Sequence, residues 1–297
     1  MPILDHLKSL FSGTRVNVSK RFALLRAAIS GTMSKFYMAR DLQTGNIVGL
    51  KILDPEKLAA FEARFKGLVK PCEGEIAVQL KHPHIVETFE YGLTIEGAQY
   101  LIMEFLEGAG MNSLLVARDE RLEGRRLRFI RQLAEALAAV HAAGFIHRDV
   151  CPRNLMLSGD GENLKLIDFG LSVPATRAFM LPGNRTGTPN YMAPELVRRK
   201  STDQRLDIFA FGVTAYEICT FQLPWLRGTT GMAAMGHDQP PIDIRTYRPQ
   251  INRRLADAIH SCIQPKVEKR CRSMEKFLEM IRRVEDMDAS LTTRPSG

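Results

Sequence analysis

Between residues 21 and 53, apolar and polar positions alternate in short runs separated by turn signals such as Thr44-Gly45-Asn46, and this period of two predicts three strands. From 56 to 80 the spacing lengthens to that of a helix, broken or restarted at Pro71. Two more strands are predicted near 85–91 and 98–103. Beyond them the pattern is mainly helical. Leu127, Ile130, Leu133, Leu137 and Val140 make one buried stripe that Gly144 stops, and residues 205–220 are apolar around the whole circumference, which predicts a helix buried on every side. Residues 1–20 read as an extension in which Ile3, Leu4, Leu7, Leu10 and Phe11 form a single short stripe. With few basic residues, that stripe suits docking on the strand-rich part better than a bilayer surface. The tail 288–297 is polar, and there are no internal repeats.

Composition alters this picture little. With 297 residues, 45% hydrophobic and 25% charged, the chain is an ordinary globular one, long enough for two lobes around a cleft. No apolar run approaches the roughly 20 residues of a membrane span, and the start Met1-Pro2-Ile3-Leu4-Asp5-His6-Leu7-Lys8 lacks a signal-peptide core. The five cysteines (72, 151, 219, 262, 271) are scattered without a C-x-x-C pair, so a reduced, cytoplasmic protein without zinc is expected. The net charge of +8 and the clusters Arg125-Arg126-Leu127-Arg128, Arg198-Arg199-Lys200 and Arg282-Arg283 raise nucleic-acid binding as a possibility. However, the basic residues between Arg125 and Arg131 interleave with Leu127, Ile130 and Leu133 at helical spacing. They are therefore expected to be the solvated face of an amphipathic helix, with no nucleic-acid partner.

The candidate chemistry lies in a series of ordered motifs. His147-Arg148-Asp149-Val150-Cys151-Pro152-Arg153-Asn154 is followed by Asp168-Phe169-Gly170. Upstream, Lys51 ends the β-branched run Ile47-Val48-Gly49-Leu50-Lys51, and Glu73 precedes His82-Pro83-His84-Ile85-Val86. Downstream come Gly187-Thr188-Pro189-Asn190-Tyr191-Met192-Ala193-Pro194-Glu195, then Asp207 and Arg270. In this order the set resembles the protein kinase family, of serine/threonine type and similar to the bacterial serine/threonine kinases, over residues 21–287.

The resemblance implies an α+β fold of two lobes: a small, mainly β N-lobe with helix C at about 21–103, a hinge at 104–106, and a larger, mainly helical C-lobe at 107–287. It implies transfer of the γ-phosphate of ATP, with Mg2+, to serine or threonine hydroxyls of protein substrates. Charge on the phosphoryl oxygens in the transition state must meet cations fixed beforehand. Lys51 would grip the α- and β-phosphates, paired with Glu73 rather than with Glu75, which lies on another helix face. Asp149 would orient the acceptor hydroxyl, and Asn154 and Asp168 would hold magnesium through oxygen donors. Ile29, Gly31, Phe36, Gly49, Met103, Glu104, Leu106 and Met156 would line the nucleotide, with Phe36 and Gly49 above the adenine where the family usually has valine and alanine. His147 would pack under Phe169. Arg148 would either receive an activation-loop phosphate or serve as a structural ion-pair partner, and Glu195 would pair with Arg270.

Three departures from the family pattern carry further expectations. Of the glycine-rich loop, aligned over Ile29 to Phe36, only Gly31 remains. Cys151 stands where serine/threonine kinases have a lysine, and Arg153, at a position many tyrosine kinases fill with arginine, is implied as the replacement cation. Asn184 occupies the usual activation-loop phosphosite, leaving Thr186 as the candidate acceptor beside Thr188 of the docking loop, so substantial activity without phosphorylation is expected. Arg153 and Gly110 sit where arginine-directed kinases carry acidic side chains, so the enzyme is expected not to be arginine-directed. A pseudokinase scaffold is the alternative reading. A small-molecule kinase of the same fold is a weaker one, which the peptide-docking loop disfavours.

Overall fold

The computed structural model describes residues 15–26, 29–30, 33–65, 67–182, 186–225 and 236–285. The stripe at residues 3–11, Gly31, Asn184 and the polar tail lie outside them. The chain divides into two units, Met1–His82 with Val86–Leu106, and Pro83–Ile85 with Glu107–Gly297.

The first unit is built on one antiparallel six-stranded sheet. Its strands are β1 (Phe22–Leu24), β2 (Ile29–Ser30), β3 (Ser34–Asp41), β4 (Ile47–Leu53), β5 (Thr88–Leu93) and β6 (Gln99–Glu104), in the order β1-β3-β4-β6-β5 with β2 also on β3. Phe22, Ala39, Val48, Leu50, Tyr100 and Ile102 form its buried cluster, against which Val16, Val18, Tyr37 and Ile52 pack. Because side chains alternate along a strand, placing Val48 and Leu50 in this cluster turns Gly49 and Lys51 to the opposite face. Residues 15–20 are fastened to this unit: the Val16 amide donates to the Leu93 carbonyl at 3.0 Å, and the neighbouring Arg21 bridges Asp41 at 3.1 Å and Glu90 at 2.7 Å.

Three sequence expectations are corrected here. The first of the three strands between 21 and 53 is split into β1 and β2, each pairing with β3. The helical stretch 56–80, expected to break or restart at Pro71, is two short helices with a longer gap between them, α1 (Pro55–Glu62) and α2 (Glu73–Ala77). Asp54 caps the first by accepting from the Glu56 and Lys57 amides, whereas Gly67 at φ +74° and the X-Pro step at Pro71 leave the chain between them non-helical. The strand expected from 85 begins only at Thr88, because the Leu166 amide donates to the His84 carbonyl and draws residues 83–85 into the second unit.

The second unit is mainly helical. Helix α3 (Arg126–Ala142) buries the predicted stripe completely and is followed by Gly144 at φ +81°. Helix α4 (Arg205–Thr220) is buried from Leu206 to Thr220, as a helix apolar on all sides should be. The expectation of a solvated arginine face on α3 holds for Arg128, which is exposed beside Glu162, and fails for Arg126. Arg126 is buried, donating to both Glu123 oxygens at 2.6 Å and to the Ile218 carbonyl at 2.9 Å. The alternation pattern cannot reveal an arginine that is buried by an acceptor far away in sequence. No helix among the described residues is long and apolar enough to cross a membrane.

Candidate active site

In the first unit, the strand register places Gly49 opposite Met103 and Lys51 opposite Leu101, with Phe36 opposite Lys51 on the other side. The Lys51 ammonium donates to Glu73 Oε1 at 2.6 Å, both side chains being buried. Glu73 opens α2, whose approach to β5 depends on Gly74: a Cβ there would lie 2.3 Å from the Tyr91 Cβ. Glycine thus lets the helix press on the sheet closely enough to bring the carboxylate to the lysine. Glu75, two residues on, is half-buried.

Phe36 and Gly49, larger and smaller than the valine and alanine that the family usually has there, exchange volume in this unit. A Cβ on Gly49 would lie 2.7 Å from Phe36 Cζ and 3.1 Å from Met103 Cγ, so the ring occupies the space an alanine methyl would take. The same ring lies nearly parallel to Phe105, with centroids 6.4 Å apart and planes at 13°. Gly49→Ala should displace the ring and weaken ATP binding, and Gly49→Ala with Phe36→Val should restore it. Nucleotide titration of the two single variants and the double variant checks this, and additive losses would refute the exchange. Glu104 accepts the Glu87 amide through its side chain at 2.7 Å, Met103 is buried, and Leu106 ends this unit. Ile29 pairs with Phe36 at the backbone of β2 and β3.

In the second unit, the Asp149 carboxylate is held by three donors. Thr188 gives its amide (2.9 Å) and its hydroxyl (2.8 Å) to Oδ1, and Asn154 Nδ2 donates to Oδ2 at 2.9 Å and to the Asp149 carbonyl at 2.8 Å. A carboxylate has about four acceptor sites, so Oδ2 retains capacity for one more hydroxyl. Arg153 Nη2 reaches the Thr188 hydroxyl at 3.1 Å, and the Cys151 sulfur lies 3.6 Å from the same oxygen. Burial pushes the Cys151 thiol up to about 11, so it is neutral and supplies no charge. Arg153 is exposed, a cation one hydroxyl away from the Asp149 carboxylate.

The loop that presents Asp149 is strained and clamped. Arg148 (φ 69°) and Asp168 (φ 67°) both occupy the left-handed region, which costs a non-glycine residue on the order of 1 kcal/mol or more. Asp207, from the buried α4, accepts the His147 amide at 2.7 Å and the Arg148 amide at 2.8 Å and meets His141 Nε2 at 2.9 Å. Although burial works against it, these partners hold the Asp207 carboxyl below the usual carboxylate range. His147 packs edge-on to Phe169 at 5.1 Å. Arg148 is buried, which lowers its guanidinium to about 10, and Asp207 is the opposing charge. Thr186 is also buried, so its hydroxyl is shielded in this conformation.

Asp168 Oδ1 accepts the Gly170 amide at 3.1 Å, and Asn154 spends its amide nitrogen on Asp149, leaving its oxygen as a donor to a cation. A carboxylate and an amide oxygen form a hard donor set that fits magnesium. Met156 is half-buried on β7 (Leu155–Leu157). Further out, Arg270 donates to both Glu195 oxygens at 2.6 and 2.9 Å, the pairing that the resemblance implies.

Two roles were not read from the sequence. Thr188 had been placed in substrate docking, yet its amide and hydroxyl fix Asp149. Asp207, to which the sequence assigns no role, fastens the loop that carries Asp149 through the His147 and Arg148 amides. A hydroxyl residue in the Gly-Thr-Pro turn was the available signal for the first.

Comparison with known proteins agrees with this arrangement. The profile of the protein kinase domain matches residues 28–280. The serine/threonine-protein kinases pkn3 and pkn2 of Myxococcus xanthus are 32% and 34% identical over 71% and 69% of this chain. CBL-interacting protein kinase 20 of Oryza sativa subsp. japonica is 36% identical over 70%. The matches cover 40%, 25% and 46% of these relatives, so the chain spans less than half the length of each. A profile match over most of the chain, together with the paired Lys51 and Glu73 and the anchored Asp149, places this chain in the protein kinase family.

Proposed function

We propose that the chain transfers the γ-phosphate of ATP to serine or threonine hydroxyls of protein substrates. The observation that carries this reading is the anchored Asp149: both carboxylate oxygens are oriented by Thr188 and Asn154, and Oδ2 keeps a site for an acceptor hydroxyl. Asp149 orients that hydroxyl toward phosphorus and takes its proton as the bond forms. Lys51, fixed by Glu73, binds the α- and β-phosphates, and Arg153 faces the charge that develops on the transferred group. Magnesium, when bound by Asp168 and Asn154, neutralises phosphate charge. The choice of serine and threonine over tyrosine is supported by the names of the relatives and by the Gly187-Thr188-Pro189 loop. A cytoplasmic setting is supported by the five free cysteines.

The pseudokinase alternative rests on the neutral Cys151 and the single glycine of the phosphate loop, and the intact Lys51–Glu73 pair and the oriented Asp149 weigh against it. Incubation with labelled ATP and magnesium, wild type beside Asp168→Ala, decides between them. Label on protein only with the wild type is the expected result, and equal labelling or none in both supports a scaffold.

Arg153 also bears on substrate choice. Its exposed guanidinium would repel basic side chains of a docking peptide, and like charges in a partly desolvated groove cost several kcal/mol. A peptide array should therefore favour acidic or uncharged flanks. A profile dominated by arginine before the acceptor would overturn this expectation.

A further inference from the structure

Two buried cysteines of the second unit lie together at a place the phosphotransfer chemistry does not use. Helix α5 (Arg253–Cys262) ends at Cys262, and the chain then returns so that the Cys271 amide donates to the Ser261 carbonyl at 2.9 Å. That backbone bond sets Cys271 against Cys262, the residue that follows Ser261, and the Cys271 thiol donates to the Ser273 carbonyl at 3.4 Å. Cys262 is wholly buried and Cys271 is 7% exposed. The residues between them include Arg270, which donates to the Gln264 carbonyl at 3.0 Å and holds Glu195.

We propose that Cys262 and Cys271 are an oxidisable dithiol that closes an intrachain disulfide on exposure to hydrogen peroxide. Cys271, at the edge of the buried pair, is the attacking sulfur. Its thiolate displaces one oxygen of the peroxide to give a sulfenic acid and, after protonation, one water; the Cys262 sulfur then displaces that oxygen, forming the S–S bond and releasing a second water. The two sulfurs give up two electrons and the peroxide takes them. Two features favour this order. The neighbouring Cys262 thiol, against the effect of burial, lowers the Cys271 thiol below the ordinary range and favours its thiolate. Burial keeps Cys262 protonated until it is needed as the resolving group. A disulfide requires α-carbons about 4.4–6.8 Å apart, a separation within reach once a backbone hydrogen bond already joins the two segments.

Peroxide treatment of the full chain, quenching with an alkylating agent and non-reducing peptide mapping test the idea. The expected product is the Cys262 and Cys271 peptides joined, about 2 Da (two hydrogens) lighter than the sum of the two free thiol peptides and separated again by dithiothreitol. Cys271→Ser should abolish the mass loss, and Cys219→Ser should keep it. Cys262→Ala, a small and apolar replacement for a buried thiol, should arrest Cys271 as a sulfenic acid that dimedone traps. An unchanged mass, a link between other cysteines, or a mass loss that survives Cys271→Ser overturns the proposal.

Discussion

Arg153→Ala should lower the turnover number on the order of 100-fold, the usual loss when one preorganised donor to a developing charge is removed, while the KM for ATP stays near the wild-type value. Two residues after Asp149, where the resemblance to the serine/threonine kinase pattern implies a lysine, stands Cys151, whose thiol is neutral. The exposed Arg153 guanidinium, bonded to the Thr188 hydroxyl that itself bonds Asp149, is the cation beside that carboxylate. A contact that counts most as charge develops affects kcat more than ground-state binding. Cys151→Lys in the Arg153→Ala background should recover part of the rate. Steady-state kinetics of the two variants beside the wild type check this, and a fully active Arg153→Ala protein would reduce the residue to a structural role.

Arg270→Ala should cost about 3–5 kcal/mol, because it leaves the Glu195 carboxylate buried without its partner. The Arg270 side chain is 0% exposed and makes two bonds to Glu195, further bonds to the Gln264 and Arg205 carbonyls, and a contact over the Phe209 ring at 4.9 Å. At about 2–4 °C per kcal/mol, the midpoint of thermal unfolding should fall by roughly 6–20 °C. Replacing both partners by apolar residues, Arg270→Met with Glu195→Met, should cost much less than the single change, since no charge remains buried. A single variant that unfolds within about 2 °C of wild type would mean that water reaches Glu195 and removes the penalty.

The parts legible in the sequence were those encoded locally. The stripe on α3 and the wholly apolar α4 are periodic signals, and they fold as read. Lys51 and Glu73 could be paired in advance only through the resemblance, because 22 positions separate them and nothing local joins them. Arg126 and Thr188 escaped for the converse reason. Each is defined by an acceptor distant in the chain, the Ile218 carbonyl for one and the Asp149 carboxylate for the other. The break expected at Pro71 in the helical stretch 56–80 is present, but it already begins after Glu62, because apolar spacing continues through Gly67, where the backbone does not stay helical. The exchange between Phe36 and Gly49 was visible as a pair of size changes, and its geometry needed the strand register.

The anchoring of the catalytic loop to Asp207 has a consequence for how this protein fails. The carboxylate that fastens the His147 and Arg148 amides belongs to a helix buried from Leu206 to Thr220, and buried core helices are the elements that open to solvent last. Catalytic loops are commonly drawn from the softest parts of a protein, whereas this one is fastened to the hardest. Heat or denaturant therefore removes activity and fold in one cooperative step, and a lesion deep in the core is felt as an enzymatic defect.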